Sequence, residues 1–564
     1  MRHARGPLLT VDVSDRTATT TDIDDVLERT VGGRATATAL AHDRIPFDAD
    51  PFGPENRAYL STGPLQQSRM SFTGRMNMTG LSPLTDGLVS TNAGGYLSRN
   101  FVGTGISVLE VVGESDELLA VHVTDGGEDD EGDGGVQVEF EAVPELENAL
   151  VPEISDYVAD TRALGPEHCI AIGPAGENLV RFASVMTFDS RAFGRGGLGA
   201  VLGSKNVKCV TFEGDSAPDV EFPPVQMDVH REAAESDDLM KRQGTTGGTE
   251  FINDNFSLPT RYFRDYEFEH VADIGGNAVE AKKYKRAACS ACAYGCKLPT
   301  RDEETGLETE GPEFETVYSF GSLQGMGDVV DVMKGNELCD TLGMDTISAG
   351  VTVAAYLESE DAFGDADLAH EITERIAYRD GIGDVLAEGV HRCHDELGVD
   401  DYTVKGMEFA AHDGRVLHGQ GLSYAVANRG GDHMYAGMLS LEYSGELDPE
   451  GTLGKAETLV AEENSSAFRD TGIVCAFGGD YVTDERLEEL FDADYEDLMA
   501  VGARTVERER HFNNQRGFGV GDDRTPYDLP DLEAAVGEYY EARGWNDDGT
   551  VPAGRVDSVA PAAD

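Results

Sequence analysis

The sequence predicts an α+β protein of several domains, a β-rich N-terminal domain followed by two mainly helical domains. Three observations lead there. The chain has 564 residues, well past the roughly 250 to 300 at which one hydrophobic core stops growing. Its opening part carries short alternating apolar runs separated by Gly-rich turns, the period-two pattern of half-buried strands. After Pro223-Pro224 the apolar residues recur at helical spacing instead.

Pro7 to Val13 alternates as a strand, and Thr17 to Asp22 reads as its hairpin partner across Ser14-Asp15-Arg16. Ile23 to Thr30 has helical spacing and stops at Gly32-Gly33, and Ala58 to Gly63, Ile106 to Val112 and Leu118 to Val123 are further strands. The acidic, Gly-rich run from Asp125 to Gly135 is expected to be a solvated loop. Strands and turns are expected to continue from Val136 to Glu213. Helices are expected over Val225 to Lys241, Val329 to Leu342, Ile347 to Leu357, Leu368 to Tyr378 and Ile382 to Leu397. The expected domains are residues 1–214, 215–414 and 415–546, with a frayed tail over 547–564.

Asp and Glu number 106 against 44 Lys and Arg, a formal net charge of −62. Such a surface repels a phosphate backbone, which excludes non-specific nucleic-acid binding. Hydrophobic residues make up 40% of the chain, which argues against disorder. The charge reads as a surface kept hydrated, and screened, in concentrated salt, so a halophilic cytoplasm is expected. Circular dichroism checks this: the fold should be lost on dilution from multimolar salt, and equal folding and solubility at both extremes would sink the reading. Met1 to Pro7 has no apolar signal core, and eight Cys in so long a chain are no secreted disulfide framework, so the reducing cytoplasm is the expected compartment. No apolar run reaches the roughly 18 to 20 residues that cross a bilayer.

The densest chemistry lies in Cys289-Ser290-Ala291-Cys292-Ala293-Tyr294-Gly295-Cys296, three thiols in eight residues. Three soft ligands hold one face of a metal or cluster, and a fourth must come from Cys169, Cys209, Cys339, Cys393 or Cys475. A C-x-x-C pair alone also suits zinc ribbons, redox pairs and disulfides; the third Cys favours an iron–sulfur cluster over zinc. Two further segments join clustered Gly to isolated Arg: Gly74-Arg75 with Asn92-Ala93-Gly94-Gly95, and Arg191-Ala192-Phe193-Gly194-Arg195-Gly196-Gly197. Gly lets backbone N–H groups approach a ligand and Arg offers a planar fork for phosphate, so these loops suit either a phosphorylated cofactor or ordinary tight turns. Gly194 to Gly199 matches G-x-G-x-x-G literally but follows a polar stretch, which gives a dinucleotide site little support.

Several longer motifs now stand in order: Ser82-Pro83-Leu84-Thr85, Ile172-Gly173-Pro174-Ala175-Gly176-Glu177-Asn178, Gly194 to Val201, Gly203-Ser204-Lys205-Asn206, Cys289-x-x-Cys292-x-x-x-Cys296, Gly343-Met344-Asp345-Thr346, Asn428-Arg429-Gly430-Gly431-Asp432-His433, and Tyr539-Tyr540 with Arg543-Gly544-Trp545. Over nearly its whole length the chain resembles the aldehyde ferredoxin oxidoreductase family, tungsten enzymes with a bis-pterin beside a 4Fe-4S cluster. The resemblance implies a β-rich saddle under the cofactor and two helical domains closing over it. It implies that Arg75, Asn92, Gly94, Arg191, Ala192, Gly194 and Arg195 contact the pterins and their phosphates, which Mg2+ bridges. It places the family's two Asp-x-x-Gly-Leu-x segments at Asp340 to Asp345 and Asp470 to Cys475, so that Asp340, Asp345 and Asp470 also reach the pterins and Cys475 becomes the fourth thiolate beside Cys289, Cys292 and Cys296. Ile473 stands where the family has Gly.

The resemblance also aligns Glu315 and His433 with the carboxylate and imidazole that flank the metal. A carboxylate in a dry pocket can act as general base near neutral pH, and an imidazole can hydrogen-bond an oxygen and return a proton. Glu313 rivals Glu315 from the opposite face if this segment is a strand, and His412 and His418 are the nearest competitors of His433. Some members hold a mononuclear iron at a dimer interface through a Glu at the position of Lys334; a cation cannot replace that ligand, although Glu337 is near, so no interface iron is expected here. The implied activity is oxidation of an aldehyde with water to a carboxylic acid, with ferredoxin as acceptor and either a single chain or a homodimer as the assembly. The metal is tungsten or molybdenum. Two alternatives stay open: a related tungsten enzyme acting on another substrate, such as an aromatic thioester, within a larger complex, and an iron–sulfur electron-transfer subunit without pterin.

Overall fold

The computed structural model describes residues 1–126, 135–187 and 190–557. Most of the expected acidic loop, and the last residues of the expected tail, lie outside them. Two six-stranded sheets occupy the N-terminal part. In the first, β1 (Leu8–Asp12), β2 (Thr17–Thr21), β3 (Ala58–Ser61), β4 (Met76–Leu81), β5 (Leu88–Ala93) and β6 (Val108–Val112) run in the order β2-β1-β6-β3-β4-β5. In the second, β7 (Leu119–Thr124), β8 (Gln137–Ala142), β9 (Cys169–Ala171), β10 (Val185–Thr187), β11 (Arg191–Phe193) and β12 (Val207–Glu213) run in the order β11-β10-β9-β12-β7-β8.

Strand alternation assigns the two faces. Leu9, Leu60, Met78 and Leu109 point into a core shared with Val121, Ile170 and Val210 of the second sheet, so the sheets pack face to face. Their neighbours Leu8, Tyr59, Leu81 and Val108 point the other way, onto helices α1 (Asp24–Thr30) and α2 (Gly33–Arg44). β2, Thr-Ala-Thr-Thr-Thr, is an edge strand whose first four residues are exposed.

Sequence pattern did not mark α2 as a helix, and its composition explains why. Gly33 to His42 are all buried, so no polar face remains to give an amphipathic stripe. Small Ala and Thr side chains let β4 and two later helices, α7 (Ala456–Gly472) and α8 (Tyr495–Gln515), approach it closely. Arg34 of α2 makes a two-pronged ion pair with Glu509 of α8, both bonds 2.8 Å and both side chains 1% exposed. That buried pair ties the N-terminal part to the C-terminal one.

Between 136 and 213 the expectation of strands and turns misses α3 (Val151–Arg162), which buries Val151, Ile154 and Val158 on one side. From 225 onward helices dominate, among them α4 (Val329–Leu342), α5 (Thr346–Glu360) and α6 (Ala366–Ala377). The helix expected over 382 to 397 is two pieces, Ile382–Leu386 and Val390–Leu397, because Gly389 takes a left-handed φ of 83°. The expected fraying of the tail is corrected over 547–557. Gly549 O accepts from Arg510 Nε at 2.7 Å, Val551 is buried, and Arg555 Nη1 donates to Gly544 O at 2.7 Å. Its Gly, Pro and Asp residues shape turns against the body. No helix among the described residues is long and apolar enough to cross a membrane.

Candidate functional site

Four chain segments converge on the thiol loop. Ser290 N donates to Gly95 O at 2.9 Å, and Cys475 N donates to Phe72 O at 2.8 Å. Gly74 and Gly94 make this approach possible: a Cβ on Gly94 would lie 2.9 Å from Cys289 Sγ, and one on Gly74 2.8 Å from Ser290 O. The two Gly-containing loops of the first sheet thus press directly on the cysteine loop. Cys475 is delivered by the end of α7, where Ile473 closes the helix in the left-handed region at φ 59°. That conformation suits the Gly expected there and strains a β-branched residue.

Cys289, Cys292, Cys296 and Cys475 are all half-buried, whereas Cys169, Cys209, Cys339 and Cys393 are buried. Burial pushes the Cys296 and Cys475 thiols up, and each feels the charge of other members of the set. Among the described residues, the group of three or more metal-binding side chains whose donor atoms all lie within 4.8 Å of one another is Glu315, His412 and His433. Four half-buried thiols from two chain segments are soft donors of the kind that hold a cluster or a zinc ion.

Glu313 and Glu315 do not lie on a strand. Glu313 caps a short helix, Phe314–Thr316, that continues as a π-turn over Val317–Gly321. The two carboxylates still diverge. Glu313 takes a 2.9 Å bond from Arg191 Nη1 and a 2.6 Å bond from Thr245 Oγ1, on the side of the thiol loop. Glu315 faces two imidazoles instead, with Oε1 at 3.5 Å from His433 Nε2 and 3.9 Å from His412 Nε2. Its Oε2 accepts from Ala411 N at 2.9 Å.

Burial raises the Glu315 pKa above the usual carboxylate range, with His433 acting in the opposite sense. Burial and the charge of His433 hold His412 well below the usual imidazole range. Next to His433, Asp432 is fully buried and would be raised by that alone, yet the guanidiniums of Arg429 and Arg195 keep it well below the carboxylate range. Asp432 in turn accepts from Met434 N at 2.8 Å, which fixes the loop carrying His433. His418, the other competitor, lies elsewhere, its Nδ1 taken by Gly451 N at 2.8 Å.

The remaining expected contacts surround this space. Asn92 Oδ1 accepts from Asn77 Nδ2 at 3.2 Å; burial raises the Asp470 and Cys475 pKa values, and the nearby Arg75 guanidinium acts in the opposite sense on both. Arg191 and Ala192 sit on β11; Arg191 is clamped by Glu310 at 3.0 Å as well as by Glu313. Arg195 reaches Asp345 at 3.4 Å and donates to Gly431 O at 3.0 Å. Asp345 caps α5 by accepting from Ile347 N and Ser348 N, and faces Gly194. Asp340 is half-buried beside Glu310 and Arg191, and the loss of solvent around its carboxyl raises its pKa well above normal. Asp470 pairs with Arg34 at 3.4 Å. Lys334 and Glu337 pair with each other at 2.6 Å.

Buried polar atoms without a hydrogen-bond partner include Arg191 Nε, Glu315 Oε1, Arg429 Nε and His433 Nδ1, whereas Glu310 Oε2 lies 3.0 Å from Arg191 Nη2. Orphaned groups of this kind are costly unless a further polar group meets them, so the residues present fit a polar, anionic cofactor between the Gly-Arg loops and the helical segments. His412, Glu310 and Arg429 were not assigned roles from sequence. Arg429 stands inside a motif that could have drawn notice, whereas Glu310 and His412 have no local signal.

The same fold recurs in a solved structure. The active-site complex BamBC of benzoyl coenzyme A reductase, in complex with 1,5-dienoyl-CoA, shares it at a TM-score of 0.80 and 20% identity, over 98% of this chain and 96% of that one. Family models described as "Aldehyde ferredoxin oxidoreductase, N-terminal domain" and "Aldehyde ferredoxin oxidoreductase, domains 2 & 3" match residues 8–214 and 225–558. The chain belongs to the aldehyde ferredoxin oxidoreductase family and is an oxidoreductase of that kind. A tungsten-containing aldehyde ferredoxin oxidoreductase of Thermococcus kodakarensis is 32% identical over 590 residues, covering 95% of each chain. An aliphatic sulfonate oxidoreductase, WOR-like subunit, of Pyrococcus furiosus is 26% identical, over 96% of this chain and 95% of that one.

Proposed function

We propose that this chain oxidises an aldehyde, with water, to a carboxylic acid, releasing two protons and two electrons, and passes the electrons singly through a 4Fe-4S cluster to ferredoxin. The observation that carries the reading is the desolvated Glu315, whose Oε1 lies 3.5 Å from His433 Nε2 and has no hydrogen-bond partner. The 32% identity to a tungsten-containing aldehyde ferredoxin oxidoreductase supports the substrate class.

Arg75, Asn92, Gly94, Arg191, Ala192, Gly194 and Arg195 from the sheets, with Asp340, Asp345 and Asp470 from the helical segments, would hold a bis-pterin together with its Mg2+. Cys289, Cys292, Cys296 and Cys475 would hold the cluster. When bound, the pterin-held tungsten or molybdenum supplies the two-electron acceptor that no side chain can provide. Glu315 deprotonates water or the hydrated aldehyde, and its raised pKa makes it a competent base near neutral pH. His433, 3.5 Å away, donates a hydrogen bond to the substrate oxygen and takes part in proton return. Aromatic rings around His412, those of Phe314 and Tyr443, exclude water from this pair.

Anaerobically purified protein tests the reading by metal analysis, visible absorption and aldehyde-dependent reduction of benzyl viologen. Iron, sulfide and tungsten or molybdenum with turnover are expected. Zinc without a chromophore, or iron without the heavier metal, would overturn it.

A further inference from the structure

An open cleft of about 680 Å³ lies away from Glu315 and His433. It lies beside the thiol loop, lined by Lys241, Arg242, Lys283, Lys285 and Arg286 together with Asp237, Asp238, Tyr284 and Glu280. Five cations against three carboxylates make this a local positive region on a chain of formal charge −62. Lys285 and Arg286 are exposed and have no carboxylate partner among the described residues. Lys283 instead donates to the backbone carbonyls of Lys241 and Arg242, both at 3.2 Å, which holds the two basic segments together.

The cleft wall adjoins the thiol loop through Arg286. A Cβ on Gly295, the residue before Cys296, would lie 3.5 Å from Arg286 Nη2, and an isolated bridge pairs Ala287 with Lys297 across the loop. Ser236 Oγ in the cleft wall accepts from the Tyr481 hydroxyl at 2.7 Å, and the Tyr481 ring stacks on Phe72, whose carbonyl accepts from Cys475 N. Exposed apolar side chains lie in the same segments: Leu239, Tyr284 and, two residues past Cys475, Phe477. A positive rim with a few apolar contacts at its centre is the make-up of a small, transient protein interface.

We propose that this cleft is the docking surface for a small acidic electron-carrier protein, placed where an electron leaves the thiol-bound cluster. The inference rests on the proposed electron exit through that cluster and adds its partner surface. Charge complementarity at contact distance selects the occupant, because this cleft gathers five cations, two of them exposed and unpaired among the described residues, on an otherwise strongly acidic chain.

The test uses the holoenzyme, a purified acidic ferredoxin and the dye benzyl viologen, with Arg242→Glu/Lys285→Glu as the variant; neither residue touches the thiols. The expected result is at least a tenfold rise in KM for ferredoxin, a matching weakening of ferredoxin binding by surface plasmon resonance, and unchanged aldehyde turnover with the dye. Raising salt should weaken ferredoxin binding to the native protein more than to the variant. Unchanged ferredoxin binding in the variant would overturn the proposal. Absence of dye turnover in the native protein would instead refute the proposed reaction, and the binding measurement would still decide the docking surface.

Discussion

Glu313 and Glu315 are two residues apart and live in opposite surroundings. Glu313 has both oxygens engaged, by Arg191 and by Thr245, on the side of the thiol loop. Glu315 has one oxygen held by Ala411 N and the other without a hydrogen-bond partner, facing His433. A carboxylate neutralised by a guanidinium and a hydroxyl is a strut, whereas a desolvated one with a free oxygen can exchange a proton. The same short helix thus turns one carboxylate toward Arg191 and the other toward two imidazoles.

The sharpest way to break this comparison is a pair of substitutions. Glu315→Gln should lower dye-linked aldehyde turnover by about 10²- to 10⁴-fold, the usual range for loss of a general base. Glu313→Gln should leave turnover within about tenfold, because it removes a positioning contact to Arg191 and not the base. Equal losses would erase the distinction. Stability should move the other way. A carboxylate whose folded pKa is raised contributes stability that is present below its unfolded pKa and lost as pH rises through the folded one. At neutral pH Glu315→Gln should therefore melt higher than the native protein, and should lose that advantage in acid.

Cys475→Ser sharpens the side of the thiol loop. With one of four ligands replaced, iron content and visible absorption should fall markedly while the fold, followed by circular dichroism, persists. Retention of a full cluster would return the fourth ligand to the other thiols, which the structure keeps buried.

The pH profile is a finer probe. The acid limb of kcat/KM should lie above the ordinary carboxylate range, because Glu315 must be ionised to act and burial opposes that. His433 stabilises the ionised form, so His433→Gln should shift the limb to still higher pH in addition to slowing turnover. A shift to lower pH would contradict the contact.

The legibility of these features follows their range along the chain. Period-two runs such as Leu8–Asp12 and period-3.6 runs such as Val329–Leu342 are local, and both elements stand where the pattern puts them. The helix α2 is not legible because a helix buried all round has no polar face. The spacing of Cys289, Cys292 and Cys296 marks a metal-binding loop, but its neighbours Gly74 and Gly94 come from far earlier in the chain, and only the fold shows that a Cβ there would collide with it. His412 reaches Glu315 through tertiary packing alone and carries no motif. The Arg34–Glu509 pair spans 475 residues and was equally invisible.

Ile473 offers the smallest expected effect, and magnitudes decide its sign. Holding a β-branched residue at φ 59° costs about 1–2 kcal/mol relative to a residue free to adopt that region. Replacing it by Gly relieves that strain. The same change removes a side chain only 1% exposed, whose carbons lie against Gly33 and Gly63, and loss of a buried Ile costs about 2–5 kcal/mol. Packing outweighs strain, so Ile473→Gly should destabilise by about 1–3 kcal/mol in denaturant unfolding. Cys475 follows two residues later on a backbone held by Phe72 O, so the visible absorption of the cluster should survive the substitution. A stabilised variant would mean that the left-handed turn, and not the side chain, dominates the delivery of Cys475.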